Sequence, residues 1–213
     1  MSVLAIIQAR MGSTRLPGKV MKKVLGKSMI EHLLERLTKS ILIDQVVIAI
    51  SKEKNNDPLE YLLKKLGYSV YRGSENDVLD RYYKVALQYP SEIIVRITGD
   101  CPLICYEVTD EVINYYLNGN FDYVYNTGLP KEYFSYPGGL DTEVFSFQTL
   151  KKTWENAKDP IEREHVTLYM RKSELFRIGE FYCKYDLKDE RWELDYPEDL
   201  ELIRKVFTAF NGL

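Results

Sequence analysis

Ten residues near the start, Arg10-Met11-Gly12-Ser13-Thr14-Arg15-Leu16-Pro17-Gly18-Lys19, bring together two glycines, two hydroxyls, two arginines and a lysine. Accessible backbone N–H groups, side-chain donors and positive charge in one loop suit a polyphosphate. The loop is not a Walker A loop. Five residues separate Gly12 from Gly18 where that loop has four, and Val20 follows the lysine in place of Ser or Thr. It also lacks the G-x-G-x-x-G of a dinucleotide fold. The plainer reading of these residues is an exposed strand-to-helix turn.

Carboxylates that could complement such a loop stand elsewhere in the chain. Arg96-Ile97-Thr98-Gly99-Asp100-Cys101-Pro102 ends an apolar run with a carboxylate on a sharp turn. Asp100 there suits a Mg²⁺ that bridges phosphate oxygens, or serves as a cap ahead of the helix that follows. Asp195, just before a helix opened by Pro197, is open to the same two readings. Asp141 and Glu143 would share one face of a strand, with a plain strand pair as one reading and a ligand-binding role as the other. Arg163 and His165 are candidates for an anionic group, against a solvated helix face. The cysteines Cys101, Cys105 and Cys183 and the histidines His32 and His165 lack the paired spacings of a zinc site. The thiols are expected to be reduced and in or near the core.

Several elements must position these groups. Val3 to Ala9 reads as a strand buried on both faces. Met29, Ile30, Leu33, Leu34 and Leu37 follow at helical spacing. Val46 to Ile50 is a second buried run, and Leu59, Leu62, Leu63 and Leu66 predict a helix that starts at Pro58 and stops at Gly67. Tyr68 to Tyr71, a helix on Val78, Leu79, Tyr82, Ala86 and Leu87, and a strand from Glu92 to Thr98 continue the alternation. Successive strand-then-helix units imply an α/β fold with a mostly parallel sheet and helices on both faces. After Asp100 a helix around Val108 to Leu117 and a short strand near Tyr123 to Tyr125 lead into a loop rich in Pro, Gly and Tyr from Thr127 to Gly139. Strand-like segments at Leu140 to Phe145 and Phe176 to Tyr185 bracket a polar helical stretch. The last helix shows Leu200, Ile203, Phe207 and Phe210 on one stripe.

The chain of 213 residues is long enough for one domain with an elaboration. Residues 1–105 and 106–213 are expected to be two halves of one domain, the second covering the first or dimerising it. With 45% hydrophobic and 29% charged residues, composition excludes disordered and fibrous classes. No stretch approaches a membrane span, and the N-terminus lacks a basic segment ahead of its apolar run, so a cytoplasmic address is expected. The net charge of −3 divides unevenly. Arg10, Arg15, Lys19, Lys22, Lys23 and Lys27 precede the first carboxylate, Glu31, so residues 1–30 carry +6 and the rest −9. This argues against a general nucleic-acid binder and for an anionic ligand held at one place, with a solvated basic face as the alternative.

The run from Ala5 to Lys19 resembles the N-terminal signature of cytidylyltransferases that make CMP-activated acidic sugars, the CMP-KDO and CMP-sialic acid synthetases. The likeness is greatest to the branch called spore coat polysaccharide biosynthesis protein F. Further matches are Arg72-Gly-Ser-Glu-Asn-Asp-Val-Leu-Asp-Arg81, Arg96 to Leu103, Gly139 to Val144, Arg163-Glu-His-Val-Thr167 and Trp192 to Leu200. The resemblance implies a Rossmann-like nucleotide-diphospho-sugar transferase fold, CTP and an anionic sugar or sugar phosphate as partners, Mg²⁺ as cofactor, release of pyrophosphate and a homodimer. By position it implies that Ala9, Arg10, Gly12, Ser13 and Lys19 hold the nucleotide. It places Arg10, Lys19 and Asp100 in catalysis, and Asp100 and Asp195 on the metal. Base recognition would fall around Gly73, Ser74 and Asp77, and acceptor binding on Asp141, Glu143, Arg163 and His165. The CMP-KDO synthetases have Gln-Gly-Asp where this chain has Thr98-Gly99-Asp100. That departure bears on cytosine selectivity, because an amide offers a paired donor and acceptor that a hydroxyl cannot match. A glycosyltransferase of the same fold would usually carry Asp-x-Asp, which is absent here. A non-catalytic nucleotide-binding module would not need two separated metal carboxylates.

Overall fold

The computed structural model describes residues 1–130, 133–187 and 189–210. Its frame is a seven-stranded sheet in the order β5-β4-β1-β6-β8-β7-β9, with β1 at Val3–Ala9, β4 at Gln45–Ser51, β5 at Ser69–Gly73, β6 at Ile93–Thr98, β7 at Tyr123–Tyr125, β8 at Glu143–Ser146 and β9 at Ile178–Glu180. Only β8 runs against its neighbours. The sheet places β4 and β5 on one side of β1 and β6 on the other, so the chain reverses its direction of winding between β1 and β6. Loops diverge at such a point and open a crevice at the carboxyl ends of the strands. Both loops singled out for chemistry, after Ala9 and after Thr98, leave the sheet there.

Alternate side chains of β1 enter two apolar layers. Val3, Ala5 and Ile7 pack with Leu33, Leu34 and Leu37 of α1 (Met29–Leu37), with Leu59 and Leu63 of α2 (Asp57–Lys65) and with Val112 and Ile113 of α4 (Tyr106–Asn118). Leu4 and Ile6 pack on the other face with Leu79, Tyr82 and Val85 of α3 (Val78–Gln88), with Leu150 of α5 (Phe147–Asn156) and with Met170 of α7 (Leu168–Lys172). A short α6 (Pro160–Glu164) precedes α7. The last helix, α8 (Pro197–Ala209), covers Leu16, Val24 and Met29 through Leu200, Ile203 and Phe207, and the buried ring of His32 lies 4.1 Å from that of Phe207. The protein is thus an α/β molecule with a Rossmann-like, mostly parallel sheet. All three thiols are free, with Cys101 and Cys183 buried.

Several details differ from the sequence reading. Strand pairing begins at Glu143 rather than Leu140, because Gly139 has φ +102 and a Cβ there would stand 2.5 Å from the backbone of Trp192. Asp141 therefore lies in the turn ahead of β8. The segment Phe176 to Tyr185 pairs only over Ile178–Glu180. Phe210 is 65% exposed, since the helix ends at Ala209. A hairpin of β2 (Lys23–Val24) and β3 (Lys27–Ser28) has no counterpart in the sequence reading.

Candidate active site

The loop after β1 closes on itself through Met11, whose carbonyl accepts from the amides of Ser13 and Gly18. Ser13 Oγ accepts from the amide of Leu16 at 3.2 Å. This compact turn delivers Lys19, 8% exposed, to the crevice. Its Nζ donates to Asp100 Oδ2 at 2.7 Å and to Asp195 Oδ1 at 2.8 Å, and Arg15 Nη2 donates to Asp195 Oδ2 at 2.7 Å. Three groups widely separated in sequence thus form one cluster. Burial favours the neutral form of Lys19, but the two carboxylates outweigh it and raise its pKa. Burial likewise pushes Asp100 up, and Lys19 holds it below the ordinary carboxylate value.

Backbone contacts fix these side chains. Gly99 donates its amide to the carbonyl of Gln8 at 2.8 Å, and a Cβ at Gly99 would stand 2.9 Å from that same oxygen. Only glycine lets the two loops approach so closely. The amide of Leu194 donates to the carbonyl of Asp100 at 2.8 Å, tying the segment of Asp195 to the end of β6. Asp195 does not cap α8. Asp199 accepts from the amides of Asp195 and Tyr196 instead, which leaves the Asp195 carboxylate facing the crevice.

Two cavities meet at this cluster. The smaller, about 170 Å³, is lined by Ala9, Arg10, Lys19, Arg81 and Gly99 among others, and the larger, about 1340 Å³, by Asp141, Glu143, Arg171 and Glu193 among others. Gln8, Thr98, Asp100 and His165 belong to both walls. Gln8 stands beside Thr98 in the strand register, so a side-chain amide lies one strand away from position 98. Asp141 accepts from Thr127 Oγ1 at 2.5 Å and from the amide of Gly139 at 2.6 Å. Glu193 is pushed up to about 7 by burial and by Asp141, Asp100 and Asp195.

The remaining sequence candidates are placed differently. Arg163 lines neither cavity and does not form a solvated face. Its Nε donates to Asp77 Oδ2 at 2.7 Å, and its Nη1 donates to the carbonyls of Trp154 and Ala157. Asp77 caps α3 through the amide of Asp80, and Ser74 accepts from the amide of Asp77. The Ser74 side chain is thus used within its own turn and that of Asp77 by its turn and by Arg163, and neither residue, nor Gly73, Gly12 or Ser13, lines the smaller cavity. Glu143 is 4% exposed and engaged by Arg96 Nη1 at 2.6 Å, Arg171 Nη2 at 2.8 Å, the Tyr123 hydroxyl at 2.9 Å and the Thr167 hydroxyl. Burial raises its pKa, and Arg96 and Arg171 override that and bring it down to about 2. It is a buried counter-ion, not a free acceptor ligand. Sequence reasoning passed over Arg15, Arg81, Arg171 and Glu193. Arg15 was visible only as loop charge, Arg81 and Glu193 only as members of the matched segments Arg72 to Arg81 and Trp192 to Leu200, and Arg171 carries no local pattern.

Two carboxylate oxygens that converge on one ammonium nitrogen are a hard oxygen pair already arranged around a cation. Among the described residues no group of three or more His, Cys, Asp or Glu is placed to hold a metal ion. Mg²⁺ typically takes one or two protein carboxylates and completes its shell with substrate phosphates and water, and Asp100 and Asp195 are the two carboxylates of this site that would hold one.

Residues 4–209 match the family model described as cytidylyltransferase. The chain is 35% identical over 213 residues to the spore coat polysaccharide biosynthesis protein SpsF of Bacillus subtilis, covering 96% of this chain and 86% of that one. A solved structure of a cytidylyltransferase from Leptospira borgpetersenii serovar Hardjo-bovis superposes with a TM-score of 0.91 at 36% identity, over 99% of this chain and 88% of that one. The structure of CMP:2-keto-3-deoxy-manno-octonic acid synthetase complexed with CTP superposes with a TM-score of 0.75 at 17% identity, over 99% of this chain and 100% of that one. At that identity the likeness shows the fold alone.

Proposed function

The chain belongs to the cytidylyltransferase family, and on that footing we propose that it joins CTP to an acidic sugar or sugar phosphate. The products are a CMP-sugar or CDP-sugar and pyrophosphate, for a surface polysaccharide. The observation that carries this reading is Lys19 held between Asp100 and Asp195 where the two cavities meet. In this reading CTP enters the smaller cavity, with its triphosphate toward Arg10 and Lys19, which line it. The acceptor occupies the larger cavity.

An acceptor oxygen attacks the α-phosphorus in line with the departing pyrophosphate, so positioning and charge neutralisation supply most of the rate. Asp100 and Asp195 would hold Mg²⁺, whose chemistry when bound is to neutralise phosphate charge. Lys19 and Arg10 donate hydrogen bonds to phosphate oxygens on which charge develops. A sugar hydroxyl has to give up its proton, through metal coordination or to one of the carboxylates that line the acceptor cavity. A phosphate acceptor needs no base. The free thiols suit a reducing compartment such as the cytoplasm, and a homodimer completes the proposal.

Pyrophosphate release measured with each of the four nucleoside triphosphates, Mg²⁺ and a panel of acidic sugars and sugar phosphates tests the reading. Release is expected with CTP and one acceptor class. Lys19→Ala and Asp100→Ala are expected to lower it at least ~100-fold with circular dichroism unchanged. Measurable CTP binding without release for any acceptor would overturn the reading.

A further inference from the structure

Buried side-chain polar atoms almost always have a partner. Among the described residues three do not, Gln8 Oε1, Arg81 Nε and Arg96 Nε, and all three belong to residues that line the two cavities. Arg96 lines the larger cavity, and the antiparallel register sets it opposite Glu143. Arg171 reaches the same carboxylate from α7. Its Nε donates to the Tyr123 hydroxyl at 2.8 Å, and its guanidinium lies 3.9 Å from the centre of the Tyr125 ring.

Glu143 is the only carboxylate within ion-pair distance of either guanidinium among the described residues. Arginine does not lose its proton in proteins. Two positive charges therefore face one negative charge, and the surplus lies in the cavity wall, with the Arg96 side chain 13% and the Arg171 side chain 30% exposed. A charge partly withdrawn from water and left unmatched favours an anion beside it. The same cavity is also lined by Asp141, Glu193 and Asp195, so an anionic group entering it is drawn to the arginines and turned away from these carboxylates.

We propose, resting on the reading of this cavity as the acceptor site, that Arg96 and Arg171 bind the acidic group of the acceptor, a carboxylate or a phosphate monoester. Glu143 is then a positioning residue that holds both guanidinium forks in place. The forks match carboxylate and phosphate oxygens in a way that a lysine ammonium does not.

Titration calorimetry on the full chain, saturated with CTP and free of Mg²⁺ so that no turnover occurs, tests this. The probes are 3-deoxy-manno-octulosonate against its methyl ester, and glucose 1-phosphate against glucose. Wild type is expected to bind at least one acid about 30-fold more tightly than its neutral counterpart, in keeping with charged hydrogen bonds. Which acid wins tells carboxylate from phosphate. Arg171→Met should remove the preference and leave CTP affinity unchanged, while Arg171→Lys and Arg96→Lys, which keep the charge, should retain part of it. Equal binding of acid and neutral probes would overturn the proposal. So would an intact preference in Arg171→Met, or equal loss in the Lys and Met variants at position 171. Intact acid preference without pyrophosphate release once Mg²⁺ is restored would count against the proposed function and leave the anion site standing.

Discussion

Glu143 shows how one buried carboxylate ties site chemistry to stability. Its pKa of about 2 in the fold lies below the ordinary value of 4.5. A depressed carboxylate stabilises the fold above its unfolded pKa, and that contribution is lost as pH falls through the folded value. Urea denaturation of wild type should therefore show stability falling between about pH 4.5 and about 2. Glu143→Gln, which leaves the part-buried guanidiniums of Arg96 and Arg171 without a counter-charge, should be less stable at pH 7 by about 3 kcal/mol and show a shallower acid slope. An unchanged slope would place the acid lability elsewhere. The residue scale is also where the sequence was least complete. Lys19 and Asp100 were legible because a loop or strand end announces them. The pairing of Asp195 with both Lys19 and Arg15 was not, because it depends on a contact between residues 176 and 180 positions apart. Arg171 reads as an ordinary helix charge until the β6–β8 register brings Glu143 beneath it.

At the scale of elements, apolar runs of strand length between amphipathic helices made β1, β4, β6 and the helices around them readable. What failed was set by backbone geometry. The β2–β3 hairpin turns on Leu25 and Gly26, with φ values of 48° and 82°. Two-residue turns of this kind favour Asn-Gly, and an exposed leucine there gives no such signal. A non-glycine residue in the left-handed region is strained by roughly 1 kcal/mol or more, and Leu25 packs on little in return. Leu25→Asn is therefore expected to stabilise the protein by about 0.5–1 kcal/mol, read as a rise in melting temperature. A drop would mean that the leucine makes an apolar contact that matters. Val166, buried with φ 56° between His165 and Thr167, is a second such position. Its strain falls on the segment that joins the cavity wall to the Glu143 network.

Across the whole molecule, the sheet joins two stretches of chain that the sequence reading treats as separate halves. Strands β1, β4, β5 and β6 come from the first 105 residues, while β7, β8 and β9 come from the rest. Tyr133, Phe134, Tyr182 and Tyr185 leave aromatic surface exposed, and the ring centres of Tyr133 and Tyr182 are 4.7 Å apart. The proposed homodimer predicts a light-scattering mass of twice 25.0 kDa, and a mass of 25.0 kDa across the micromolar range would remove it. The amide of Leu194, bonded to the carbonyl of Asp100, bears on how the chain could be divided. Because that bond and the Lys19–Asp195 contact both cross the boundary at residue 105, neither segment alone can hold Lys19 between two carboxylates. Co-expressed fragments 1–105 and 106–213 should regain CTP-dependent turnover only by reassembling, which makes the chain a natural split reporter whose signal reads the docking of one piece on the other.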